Sequence, residues 1–199
     1  MTARILRIAL ASLVGLALAA GIAWWQVRHA TQQVETSAAA VGGPFRLTDH
    51  TGKAVTDADY RGKHLLIYFG YTFCPDVCPT ELSTMAAALD KLGPVADKVQ
   101  PLFISIDPER DTVAHMADYV PLFHPRLVGL TGTPDEIRAV AKEYRVYAAK
   151  APGSSGEAYL MDHSSFVYLM GPDGKFVAVF PGGTGPDKMA ADIRKRIGG

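Results

Sequence analysis

The chain has 199 residues, enough for one domain plus an appendage. Its 20 basic and 20 acidic side chains cancel to a formal net charge of zero, which excludes the basic footprint that a nucleic-acid binder needs. With 48% apolar and 20% charged residues the composition is globular, and two cysteines are too few for a disulfide-stapled miniprotein.

The first element in chain order is apolar. Residues 8–25 (IALASLVGLALAAGIAWW) carry no charge and follow Arg4 and Arg7. At 1.5 Å per residue such a helix spans roughly 27 Å, close to the ~30 Å hydrocarbon core of a bilayer. Trp24 and Trp25 close the run, where aromatic rings favour the membrane interface, and Arg28 and His29 follow. The basic bias is weak, but Arg4 and Arg7 favour an N-in orientation. This predicts a single-pass anchor over 1–28 in the cytoplasmic membrane, with the remainder in the periplasm. The competing reading is a cleaved signal peptide, with Ala17-Leu18-Ala19 resembling an A-x-A site. The run is longer than a usual h-region and ends in tryptophans, which favours the anchor. Residues 29–43 (HATQQVETSAAAVGG) are small and polar and read as a tether.

From residue 44 to 199 the pattern is that of one α/β domain. Residues 45–48 and 53–55 flank a turn and predict a hairpin. HLLIYFGY over 64–71 has the continuous apolar, aromatic and β-branched character of a strand buried on both faces. Leu82, Met85, Leu89 and Leu92 recur at helical spacing, and 102–106 is a second buried strand. Asp111 can cap a helix over 112–120, with a strand following at 127–130. Thr133-Pro134-Asp135-Glu136 is a capping box with proline at the first helical position, and Ile137, Val140, Ala141 and Tyr144 form the apolar stripe behind it. Residues 146–150 and 157–161 are expected to pair across a Gly/Ser turn. Residues 165–170 and 175–180 form a hairpin around Gly171–Gly174, and a helix over 186–197 closes the chain. A β-α-β start and a β-β-α finish predict a central mixed sheet flanked by helices, the order that thioredoxin-like domains use.

The chemistry is carried by Cys74-Pro75-Asp76-Val77-Cys78-Pro79, at the junction between strand 64–71 and the Leu82 helix. Cysteines four positions apart in a first helical turn have Cα atoms roughly 6 Å apart, within disulfide range. The helix N-terminus favours thiolate over thiol. Pro75 and Pro79 stiffen the loop, so both sulfurs are held where a soft ion or an oxidant can meet them. Asp76 reads as a solvated loop residue or a cap. Two blander readings are a pair of buried cysteines serving as small hydrophobes and a purely structural disulfide. Neither suits an exposed, proline-flanked junction, and a five-residue loop constrains little chain entropy.

His29, His50, His64, His115 and His124 sit in positions that suit surface or satisfied roles. His163 differs, because it follows Asp162 and leads into the strand at 165–170. In a thioredoxin-like sheet the loop before that strand lies beside the cysteine-bearing helix start. Position alone leaves His163 open between a ligand and a satisfied side chain.

Three blocks together resemble the Sco/SenC family of copper chaperones: Gly70 to Pro79 (GYTFCPDVCP), Ser105 to Thr112 (SIDPERDT), and Tyr159 to Ser164 (YLMDHS) followed by Tyr168-Leu169. The resemblance implies copper ligands at Cys74, Cys78 and His163, none of which is substituted. It also implies a thioredoxin-like domain that helps assemble the dinuclear copper centre of cytochrome c oxidase. The acceptor would then be oxidase subunit II or a related protein, with a periplasmic copper donor upstream. In Met170-Gly171-Pro172-Asp173-Gly174 this chain lacks the aspartate that the family often has before the proline of that turn, and Asp107 matches an acidic position near the site. The donor chemistry agrees: two thiolates and one imidazole are a soft, low-coordinate set suited to one copper(I), or to copper(II) with an added oxygen. A structural zinc site would want a fourth protein ligand, for which Asp162 is the nearest offer.

Two functional classes follow from these residues. One is a membrane-tethered metallochaperone, and the other is a thiol–disulfide oxidoreductase that uses Cys74 and Cys78 to reduce the acceptor's cysteines. His163 separates them, because dithiol exchange does not need it.

Overall fold

The computed structural model describes residues 15, 18–26, 41–153 and 156–198, and the chain divides into two compact units, Met1–Ala40 and Val41–Gly199. In the first unit residues 18–26 are helical, with Trp24 and Trp25 exposed. Among the described residues no helix is long and apolar enough to cross a membrane. Half of the expected span over 8–25 lies outside the described residues.

In the second unit the strands are β1 (Arg46–Asp49), β2 (Ala54–Thr56), β3 (His64–Gly70), β4 (Val99–Ser105), β5 (Val128–Thr131), β8 (Phe166–Met170) and β9 (Phe176–Pro181), with a separate pair β6 (Ala148–Lys150) and β7 (Met161–His163). The helices are α1 (Val77–Leu92), α2 (Val113–Tyr119), α3 (Pro134–Glu143) and α4 (Pro186–Ile197). The seven-stranded sheet has the order β2-β1-β5-β4-β3-β8-β9. Its centre is parallel (β3 with β4, β4 with β5) and its flanks are antiparallel (β1 with β2 and β5, β8 with β3 and β9). This is the mixed sheet of a thioredoxin-like fold.

β3 is central and buried from Leu65 to Gly70, which is why its sequence shows no alternation. Successive side chains still point to opposite faces. Tyr68 turns to one face, toward Cys78 of α1 and the ring of Phe103. Phe69 turns to the other, against Tyr144, which follows α3, and Tyr168. On α1 the stripe of Leu82, Met85, Leu89 and Leu92 is buried as its spacing predicts, and α1 also packs against α4. The capping box is present in full: Glu136 N–H donates to Thr133 Oγ1, and the Glu136 carboxylate accepts from Thr133 N–H.

Two expectations need correction. Asp111 does not cap α2; Thr112 is the N-cap, its hydroxyl accepting from His115 N–H at 3.2 Å, while Asp111 is fully buried one residue earlier. The second concerns the short hairpin. Met161–His163, not 157–161, pairs with β6, in the register Ala148↔His163 and Lys150↔Met161. Gly156–Ala158 form a 3₁₀ turn, and Tyr159 turns inward to bury its ring. Those residues are spent on the turn and the core, and pairing starts further along the chain. Val41–Gly43 already belong to the domain, since Gly42 N–H donates to the Glu143 carbonyl at 2.9 Å.

Candidate metal centre

The site sits where β3 ends and α1 begins. Cys78 occupies the first turn of α1, but Cys74 lies two residues before the N-cap Asp76, in the loop rather than on the first turn. The side chain of Asp76 is exposed and makes no capping bond. Its place is taken by sulfur: Cys78 N–H donates to Cys74 Sγ at 3.4 Å. The Cys74 thiol therefore lies where the unpaired N–H groups of the helix converge. Burial works to raise its pKa, but the N–H groups of Cys78, Asp76 and Val77 outweigh it and hold the thiol below its ordinary value. Cys78 behaves oppositely. It is wholly buried, and that burial pushes its thiol up to about 12, against the opposing pull of the Tyr71 N–H.

The loop is pinned from below. The Asp111 carboxylate accepts from Thr72 N–H at 3.2 Å, from the Thr72 hydroxyl at 2.6 Å and from the Ser105 hydroxyl at 2.6 Å. This ties the residue two positions before Cys74 to the end of β4. Phe73 stacks on His115 with centroids 5.0 Å apart, and the Arg110 guanidinium lies 4.7 Å from the same ring. Gly70 is a further requirement, since a Cβ there would meet Cys78 Sγ at 2.9 Å and the Tyr68 ring at the same distance.

His163 ends β7, and its imidazole is held edge-on by Tyr71 (centroids 6.0 Å, 89°) and Tyr68 (6.2 Å, 71°). Its Nδ1 lies 3.0 Å from the Ser164 carbonyl, which can only accept, so Nδ1 carries the proton and Nε2 presents a lone pair. Nε2 is 3.4 Å from Cys78 Sγ. Burial lowers the pKa of the imidazole, partly offset by the Ser164 carbonyl, and this favours the neutral form that binds metals.

The ligand atoms of Cys74, Cys78 and His163 all lie within 4.8 Å of one another, the one such group of three among the described residues. Bonds of ~2.0–2.3 Å to nitrogen and sulfur hold ligand atoms up to ~4 Å apart, so a small closure of the side chains fits them around one ion. Asp162 is exposed and outside this group, which leaves a zinc site without its fourth protein ligand. Asp107 is also elsewhere: it is buried and committed to Arg110 Nε at 2.6 Å and the Tyr159 hydroxyl at 2.5 Å. His50, His64, His115 and His124 stand apart from the group as well.

The SCO1/SenC family model matches residues 33–198. The chain belongs to the SCO1/SenC family. The human SCO1 homolog, a mitochondrial protein, is 50% identical over 155 residues, covering 77% of this chain and 52% of that one. The chain thus spans about half the length of that relative. Among solved structures, Bradyrhizobium japonicum ScoI with copper bound is 52% identical with a TM-score of 0.72, covering 79% of this chain and 99% of that one. Arabidopsis thaliana ScoI with copper bound is 46% identical with a TM-score of 0.75, covering 79% and 98%. The SCO1/SenC match therefore coincides with the domain that carries the two cysteines and the histidine.

Sequence reasoning found the three grouped residues but missed Tyr68, Gly70 and the anchoring role of Asp111. The separation of the two thiols makes an expectation of its own. In the reduced protein a small alkylating reagent should label Cys74 first and reach Cys78 only on unfolding. In a separate sample that has not been alkylated, air oxidation should join Cys74 to Cys78 and remove both free thiols while the protein stays monomeric. Disulfide-linked dimers, counted on a non-reducing gel, would contradict the arrangement described.

Proposed function

We propose that this chain is a membrane-tethered copper chaperone, in which Cys74, Cys78 and His163 hold one copper ion and release it to the dinuclear copper centre of cytochrome c oxidase, on subunit II or a related acceptor. The observation that carries this reading is the meeting of two sulfurs and an unprotonated Nε2 within 4.8 Å. Two thiolates satisfy the soft copper(I) ion, and the imidazole adds the harder donor that copper(II) prefers. The copper-bound relatives support the same cargo. Cys74 is half-buried and flanked by the exposed Phe73 and Val77, so an acceptor's donors can reach one side of the site and exchange ligands there. In this reading residues 1–28 anchor the chain in the inner membrane, 29–40 tether it, and the domain from Val41 onward faces the periplasm, where a copper donor loads it. The uncharged run over 8–25 and its flanking tryptophans support the anchor.

A second reading rests on the unequal thiols. A thiol held below its ordinary value beside one raised to about 12 is an attacking and resolving pair suited to dithiol exchange. The two activities are compatible, since the metal-free protein is a dithiol and its disulfide blocks copper. Metal analysis of the reduced full chain in detergent, after anaerobic copper(I) loading and desalting, should return about one copper per chain. A chain that retains no copper is an exchange enzyme only, and the chaperone reading fails.

A further inference from the structure

Tyr68 is the one side chain of β3 whose polar atom reaches the site. Its ring is fully buried, and its hydroxyl donates to Cys78 Sγ at 3.7 Å. The ring is locked in place. It stacks on Phe103 (centroids 6.3 Å, 18°), meets the His163 imidazole edge-on, and sits on a strand paired on both sides, opposite Val167 and Phe103. An ordinary phenol titrates at about 10, so at neutral pH the hydroxyl carries its proton and can donate to the sulfur it faces.

We infer that Tyr68 is a positioning residue whose O–H···S bond to Cys78 sets which oxidation state of copper the site prefers. A hydrogen bond to a metal-bound thiolate draws negative charge off the sulfur. Copper(II) depends more on donation from that sulfur than copper(I) does, so the bond weakens the copper(II) complex more and tilts the site toward copper(I). A hydrogen bond is worth about 1 kcal/mol net, or about a five-fold change in an equilibrium. The inference rests on the three-ligand reading proposed above.

The test compares the native full chain with Tyr68→Phe, which keeps the ring and removes the hydroxyl. In Tyr68→Phe the ratio of copper(II) to copper(I) affinity should rise about five-fold. That corresponds to a copper potential lower by about 40 mV at 59 mV per tenfold. The thiolate-to-copper(II) charge-transfer band should move to lower energy, because the sulfur electrons are no longer held by the proton. A variant that is merely loosened would bind both states more weakly without this directional change. Should Tyr68→Phe fail to fold, 3-fluorotyrosine placed at position 68 alone, which exchanges one ring hydrogen for fluorine and makes the phenol a stronger donor, should move the band to higher energy. An unchanged band and potential in a folded Tyr68→Phe, or an unchanged band in the fluorinated protein, would overturn the inference and leave the three-ligand reading intact. Absence of any charge-transfer band from the native protein would remove both.

Discussion

His163→Ala should still take up copper(I), at least about ten-fold more weakly, and should lose the thiolate-to-copper(II) absorption altogether. Cys74 and Cys78 supply the two soft donors that copper(I) needs, and both remain in the variant. Copper(II) needs more donors and oxidises an unprotected dithiol, so its complex depends on the Nε2 that lies 3.4 Å from Cys78 Sγ. Cys74→Ser and Cys78→Ser should impair both states, because each removes a thiolate that both complexes share. Competition with a copper(I) chelator and the visible spectrum after copper(II) addition read the two states separately. Dithiol oxidation and reduction should be nearly unchanged in His163→Ala, which makes it the variant that separates copper delivery from thiol exchange in cells. A His163→Ala protein with the native copper(II) spectrum would show that the imidazole is not a ligand. Affinity for either state should also fall as pH drops, because both thiolates and Nε2 must be free of protons to bind.

The second large effect is structural. Asp111→Ala should destabilise the domain by about 3 kcal/mol, since it strips the acceptor from the half-buried Thr72 donors and the buried Ser105 donor. For a domain of this size that lowers Tm by about 6–12 °C. Asp111→Asn should be milder, because its side-chain oxygen can still accept from Thr72 and its amide can donate to Ser105. The two variants also differ from the native protein in their response to pH. Burial raises the Asp111 pKa against the hydrogen bonds that oppose it. The protonated carboxyl thus favours the folded state below its ordinary value, and that contribution is lost as pH rises through the raised value. Thermal melts across the acid range should therefore show the native protein losing stability relative to Asp111→Asn as pH rises through that window. Parallel curves would mean that Asp111 titrates in the fold as it does in the unfolded chain. Copper binding should loosen in Asp111→Ala, because Thr72 leads directly into the loop that presents Cys74.

What the sequence determined by itself is local in origin. Hydrophobic runs of strand length, the helical spacing of Leu82 to Leu92, the Thr133–Glu136 box and the closing helix all depend on residues within a turn or two of each other, and the structure has each of them. The cysteine pair was legible for the same reason, as two thiols in one short segment at a strand-to-helix junction. His163 was singled out by its place before a strand and by resemblance to a family, because 85 positions separate it from Cys78 in the chain. Tertiary structure alone decided the rest. A strand buried on both faces has no alternation to read, so nothing in HLLIYFGY says that Tyr68 rather than Phe69 faces the sulfur. Asp111 looked like a helix cap because a carboxylate before a helix usually is one. Its real partners, Thr72 and Ser105, become neighbours only when β3 and β4 lie side by side. The hairpin register slipped because the inward turn of Tyr159 depends on Asp107 and Arg110, about 50 residues earlier. The position of His163 at Cys78, and with it the site, was settled by that long-range packing.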